Sequence, residues 1–559
     1  MKYQKRLLVA LCFTLILMKS WSIEVVTATI NSKDLNSNEY IISTPIVIQS
    51  DSNISLYSLP GNGTEEDPYR IENLNITTTE EASISISYTT KYFLIQNCLL
   101  DGDSYSIYIL DVAPDSIKIR NNLCQNYQKS GMEIRKAEGI ELFNNTCNKG
   151  NDWGIHATFS PNINISNNTC TQSNEGGIFL NYCNYSYIYG NNISENHKGG
   201  ILLDDSFFAA IISNSLSDNS YQGGIRLSKS HSATIANNSC FNNVQFNIHL
   251  VFSNDSIVTN NHCFGRGTGL SVVYGGNVSV INNKISTESY GIYVRDSEYS
   301  EFTGNNLTEC DYYFYELNPA DYHTYTVENN LINGKQFGYF TNQHDLKLSE
   351  PIYGQILLSN CSGFIIKNQI LERTGIGLLA KFSDRITIIH NKCSFNIERG
   401  IQLVQTSNSI IENNSLSFNI LGLELENSSN NTITYNTLTS NIVWGVFLDE
   451  DSVNNLVHHN SFYDNNQYYG TSQARDDGDN IWYDEVLEEG NYWSDYLVVG
   501  SYYIDGDAGT QDLYPLAEPP IYEPPDSKNN NIYYSLLSFI VLIPLTVFGY
   551  LRFSSKRKR

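Results

Sequence analysis

Residues 165–180 read Ile165-Ser166-Asn167-Asn168-Thr169-Cys170-Thr171-Gln172-Ser173-Asn174-Glu175-Gly176-Gly177-Ile178-Phe179-Leu180, and the pattern returns as Ile188-Tyr189-Gly190-Asn191-Asn192-Ile193 followed by Gly199-Gly200-Ile201-Leu202-Leu203. Two short units alternate. One is an apolar residue, two spacers, Asn, one spacer, then Cys, Leu, Ile or Phe; the other is Gly-Ile-x-Leu or a near variant. Outward from this stretch the Asn recurs at Asn97, Asn122, Asn145, Asn168, Asn191, Asn214, Asn238, Asn261, Asn283, Asn305 and Asn330, then at Asn368, Asn391, Asn414, Asn436 and Asn460. The steps are 22 to 25 residues, with one gap of 38. Alternating apolar and polar positions between turn residues mark short strands. A strand repeat of this period is a solenoid or a propeller, and about 23 residues hold three strands of a coil but not the four of a propeller blade.

The expected fold is therefore all-β: a right-handed parallel β-helix of about sixteen coils over 74–463, with an insertion at 331–367. At roughly 4.8 Å per coil it makes one rod of about 75 Å. The repeated Asn suits an inward bend. It tolerates left-handed backbone angles, and its amide can bond to the same Asn above and below, pairing polar groups that the bend would bury. Asn122, Asn145, Asn168, Asn191, Asn214, Asn238, Asn261, Asn391 and Asn414 are the structural ladder.

The chain has 559 residues, with 34 Lys plus Arg against 59 Asp plus Glu and a net charge of −25. That balance argues against a nucleic-acid partner. At the N-terminus Lys2, Lys5 and Arg6 precede the apolar run Leu7 to Met18, the layout of a secretory signal over 1–22. An apolar stretch over 532–551 followed by Arg552, Lys556, Arg557, Lys558 and Arg559 reads as one transmembrane helix with a cytoplasmic tail, 552–559. Between them lie an N-terminal cap (23–73), the β-helix, a C-terminal cap (464–517) and a Pro-rich spacer (518–531). The expected location is the cell membrane, single-pass, with the body outside. Sixteen Asn-x-Ser/Thr sequons make the body a candidate glycoprotein.

These repeats resemble the NosD-like proteins, the periplasmic copper-binding β-helix family within the carbohydrate-binding and sugar-hydrolase β-helices, in a form similar to archaeal surface proteins. Three further segments carry the resemblance: the entry Gly61-Asn62-Gly63-Thr64 through Asp67-Pro68-Tyr69-Arg70-Ile71, the insertion from Asn333-Gly334-Lys335 to Gly354-Gln355-Ile356-Leu357-Leu358, and the cap Gly490-Asn491-Tyr492-Trp493-Ser494-Asp495-Tyr496 with Asp512-Leu513-Tyr514-Pro515-Leu516. The resemblance implies a β-helix, and either copper handling linked to nitrous oxide reductase maturation or binding and cleavage of polysaccharides.

The residues favour binding. Cys124, Cys147, Cys170, Cys240, Cys263 and Cys393 occupy a slot that other coils fill with Ile or Leu, so they read as core rather than Cu(I) ligands or disulfides. His156 and His249 lie four coils apart, about 19 Å. His458 and His459 are expected on opposite faces of a strand. A glycosidase needs two carboxylates about 5 to 9.5 Å apart, but Asp204 and Asp205 have Asn181, Tyr182, Ser228 and Lys229 in the neighbouring coils, and the acidic turn at Asp449 finds only Glu426. His156, Phe179, Arg226, His249 and Tyr293 are the candidate ligand face. Asp505, Asp507 and Asp512, on a Gly-containing loop, offer oxygen ligands suited to Ca²⁺; no other cofactor is expected, copper included. The expected function is non-catalytic binding of carbohydrate or a surface-layer component. Polysaccharide lyase, glycoside hydrolase and copper-binding maturation factor are the alternatives.

Overall fold

A computed structural model describes residues 40–466, 471–497 and 500–522. The proposed signal, transmembrane helix and tail, and part of the N-terminal cap and spacer, lie outside them. Among the described residues no helix is long and apolar enough to cross a membrane.

The chain winds into coils of three short parallel strands. In the coil of the opening motif these are Gly176–Asn181, Tyr187–Tyr189 and Asn192–Ser194. Their walls are called here the glycine wall, the third wall and the asparagine wall. The glycine and third walls run to twelve strands each before the chain changes course. Inward positions carry Ile178, Leu180, Ile188 and Ile193, all fully buried.

Each corner carries a polar ladder. Asn168 donates its backbone N–H and its Nδ2 to Oδ1 of Asn191, at 2.8 and 3.1 Å, and its Nδ2 also to the Leu142 carbonyl at 2.9 Å. The pattern repeats from Asn122 to Asn330. It restarts at Gln369 and runs through Asn391, Asn414, Asn436 and Asn460 to Asn491. A second corner stacks Asn196, Asn219 and Asn243, and a third stacks Ser206, Ser230 and Ser253. Because each rung points its donors one way, the last rung needs an acceptor. Asp512 supplies it to Asn491, taking the backbone N–H at 2.7 Å and Trp493 Nε1 at 2.9 Å.

Two sequence expectations need correction here. The left-handed residue is not the ladder Asn but the one before it: Asn121, Asn144 and Asn167 have φ of 56°, 53° and 55°. Asn97 and Asn368 occupy that corner, so the ladder position in their coils belongs to Cys98 and Gln369.

The third correction concerns the single rod. At the expected insertion, Asn333 and Gly334 (φ 52° and 77°) make a two-residue hairpin, and Leu331–Ile332 pairs antiparallel with Lys335–Thr341. The reversed strand continues the asparagine wall of the first stack as the glycine wall of a second. The interior changes sides. Ile356, Leu358, Leu378 and Ala380 face the second core, while the alternate Leu357 and Leu379 close the end of the first. Strands covered on both faces read as unbroken apolar runs, which is why Ile356-Leu357-Leu358 loses the alternation seen elsewhere. Gln355 fastens the junction, accepting from the Tyr312 N–H at 3.0 Å and donating to its carbonyl at 2.9 Å.

Asn191→Ala should destabilise the body by about 2–4 kcal/mol, because it strands the donors of Asn168 in a dry corner. Ser213→Gly, at a corner with φ 56°, should stabilise it by roughly 1 kcal/mol. Equilibrium urea unfolding checks both.

Candidate functional site

The register of the glycine wall places Tyr108, Glu133, His156, Phe179, Leu202, Arg226, His249, Ser271, Tyr293 and Tyr313 on ten consecutive rungs of one outward row. All five residues of the expected ligand face lie in it. Its most ordered part is a group that sequence reading overlooked. Glu133 is 1% exposed and accepts from Ser130 Oγ at 2.9 Å and Arg135 Nε at 2.6 Å; His156 Nδ1 lies 3.0 Å away. Burial alone would raise the Glu133 carboxyl, but the hydrogen bond and charge of His156, with those of Arg135, outweigh it and hold the group below its ordinary range. The bond at Nδ1 orients the ring. The sequence signal was the position of Glu133 one coil before His156.

His156 stacks on Phe179 at 5.1 Å and 5°, and Phe159 on Tyr182 at 5.0 Å and 4°. Rings stacked coil upon coil spend their faces on one another and turn their edges outward, so a ligand would meet edges and polar tips. Further along, Arg226 Nε, His249 Nδ1 and Ser271 Oγ are enclosed without a hydrogen-bond partner on three successive rungs. Burial, helped by Arg226, pulls the His249 imidazole down to about 4. It is therefore neutral at physiological pH, pressed on Phe246 at 4.2 Å.

The row ends against the second stack, at a junction that the repeat pattern did not reveal. Tyr290 donates to Glu398 at 2.8 Å across 108 residues. Arg399 joins Glu398, at 2.6 Å, to Glu424, which also accepts from Gln402 at 2.8 Å. Glu398 and Glu424 are thus held by donors of their own chain. Asp204 has only Asn181 and Ser228 beside it, and Asp449 accepts from the Asn427 N–H at 3.0 Å.

The expected calcium ligands take separate roles. Asp505 caps Thr471 and Ser472, the Asp507 N–H donates to Asp477 at 2.9 Å, and Asp512 ends the ladder. His458 and His459 do not point apart as expected. His459 takes a left-handed angle (φ 54°), which turns its ring to meet His458 at 2.5 Å between the two Nδ1 atoms, with Glu489 2.7 Å from its Nε2. Among the described residues no group of three or more His, Cys, Asp or Glu side chains stands where it could hold a metal ion. The ten described cysteines are free and buried, with Cys124, Cys147 and Cys170 in register. The neighbouring thiols, and then burial, push Cys147 well above the ordinary thiol range.

Residues 219–346 and 312–498 match the family described as periplasmic copper-binding protein (NosD), and residues 110–263 match the right handed beta helix region. The chain belongs to the NosD family. No curated protein matches it. Among solved structures it is similar to a DFA-IIIase from Arthrobacter chlorophenolicus, at 8% identity and TM-score 0.32, covering 64% of this chain and 89% of that one. It is also similar to an exopolygalacturonase from Thermotoga maritima, at 7% identity and TM-score 0.26, covering 58% and 84%. A third is the A-module of a mannuronan C-5 epimerase from Azotobacter vinelandii, at 10% identity and TM-score 0.23, covering 74% and 89%. The copper in the family's description has no matching donor set among the described residues, because the thiols are enclosed in the core and the paired imidazoles have one carboxylate beside them.

A thiol reagent should leave the native protein unlabelled at these cysteines and label them once it is unfolded. The Glu133 interactions add stability that is fully present above the unfolded value of 4.5 and lost as pH falls through the lower folded value. Glu133→Gln should therefore flatten the fall in melting temperature between about pH 5 and pH 3.

Proposed function

We propose that this protein is a membrane-anchored cell-surface β-helix protein that holds carbohydrate along the glycine wall of its first stack without cleaving it. The observation that carries the reading is the outward row from His156 to Tyr313, where eight consecutive rungs bring the rings of Phe179, Tyr293 and Tyr313 into line with the imidazoles of His156 and His249 and the guanidinium of Arg226. Sugar hydroxyls both donate and accept, and such a row offers both functions at fixed spacing. The carboxylates near the row and its junction support binding over turnover. Glu133 and Glu424 are consumed by charged or amide donors, and Asp204 lacks a second carboxylate in the adjoining coils. The basic N-terminus before an apolar run, and the apolar run at 532–551 before a basic tail, support export and anchoring.

A glycan array probed with the detergent-solubilised full chain tests this. Retained, uncleaved oligosaccharide is expected, and Phe179→Ala with Tyr293→Ala should weaken it about tenfold or more, on the order of 1.4 kcal/mol. New reducing ends in the bound fraction would overturn the non-catalytic reading.

A further inference from the structure

The junction of the two stacks buries ionisable groups that the ligand row does not use. Asp311, at the end of the first stack, is fully enclosed and receives no side-chain donor; only the backbone N–H groups at Ile376, Gly291 and Asp311 itself lean toward its carboxyl. Gly375 of the second stack lies directly over it, so close that a Cβ there would come within 2.1 Å of Oδ2. Glu316 is 1% exposed; it accepts from Tyr325 Oη and from the Asp296 N–H at 3.0 Å. Tyr325 in turn receives the Ser297 N–H at 3.2 Å, so Glu316 terminates the hydroxyl corner of the first stack as Asp512 terminates the Asn ladder of the second.

The charges facing these two groups come from both stacks. Asp311 faces Glu398, whose cation Arg399 is already shared with Glu424. Glu316 faces Asp296, itself paired with Arg295 at 3.2 Å, together with Asp321 and the phenols of Tyr322, Tyr325 and Tyr339. Lys381 comes from the second stack, with Glu426 and Glu316 near it. It is 8% exposed and lies 5.6 to 6.0 Å from the ring centres of Tyr315, Tyr322 and Phe382. The arginines beside the two buried carboxyls are therefore committed elsewhere, and the lysine is held by rings.

We propose that the junction is a pH-set hinge, closed while Asp311 and Glu316 are neutral and loosened when they ionise. Ionised, Asp311 would face Glu398 with only backbone N–H groups near it, and Glu316 would face Asp296 and Asp321 with only the Tyr325 hydroxyl and one backbone N–H to hold it; opening would return both to water. Burial raises both groups, Glu316 to about 7 and Asp311 further above its ordinary range. A raised folded value gives stability that is complete below the unfolded value and lost as pH rises through the folded one, which for Glu316 is the neutral range. Lys381, pulled down by burial, works against this trend only where it loses its proton.

Hydrogen exchange of the full chain tests the hinge. Amides of Tyr353–Ser359 and Ile376–Lys381, corrected for the intrinsic pH dependence of exchange, should open at least about tenfold more at pH 8 than at pH 6. Strands Gly176–Asn181 and Gly199–Asp204 should not change. Glu316→Gln and Asp311→Asn should each lower the rise, and the two together should abolish it. Equal opening at pH 6 and pH 8 in the unaltered protein would overturn the hinge, as would a rise that survives the double variant. The unaltered series decides the matter if either variant fails to fold.

Discussion

The structure depends on one interaction, the side-chain amide of a corner Asn received by the Asn one coil further on. A solenoid corner buries backbone groups that its wall strands cannot pair, and each would cost on the order of 1–3 kcal/mol if left open. The amide answers with Oδ1 taking two donors from the preceding coil and Nδ2 reaching both a carbonyl and the next Oδ1. Since every rung passes its donors the same way, the ladder is directional and its last rung must find an acceptor. Asp512 does this beside Trp493, and Asp476 does it beside Trp482 and Asn480 at another corner. The aspartates that composition suggested for calcium thus include one that the ladder itself requires.

The same coil geometry explains the break. A stack ends by exposing a hydrophobic cross-section, and a chain that keeps coiling never meets that problem until its last turn. Here the hairpin at Asn333-Gly334 reverses the strand direction, and the right-handed coil resumes on the opposite face of the sheet. The first strands of the second stack then serve as the lid of the first. Closing one core with the outer face of another places Tyr313, Glu398 and Lys381, far apart in sequence, around a single junction.

Much of this was legible in the residues. The period of the Asn unit and the alternation of Gly-Ile-x-Leu specify coils and walls, and the outward position after Gly-Ile specifies the row that gathers His156, Phe179, Arg226, His249 and Tyr293. The corner was misread by one place, because Asn fills both the left-handed position and the ladder in coils such as Asn144-Asn145 and Asn167-Asn168. Gly190, Ser213 and Tyr435, left-handed without being Asn, and Cys98 and Gln369, ladder residues without being Asn, separate them. Glu133 escaped notice because its neighbour His156 arrives by register from the adjacent strand, while Ser130 and Arg135 come from its own. The junction escaped because a gap of 38 residues in a repeat looks the same whether the loop bulges outward or the chain turns back; the lost alternation at Ile356-Leu357-Leu358 was the clue. His459 illustrates the limit of strand periodicity, since a left-handed corner residue follows no face rule.

The fold-back is tested most directly by the neighbours it creates. Along one uninterrupted rod, Tyr290 and Glu398 would sit about five coils apart, roughly 24 Å. Across the reversed junction they are in hydrogen-bond contact. A photo-crosslinking amino acid placed at Tyr290, followed by peptide mass spectrometry, should therefore yield adducts with the segment around Glu398. Adducts confined to the coils of residues 268–315, with none near Glu398, would contradict the reversal and restore the single rod.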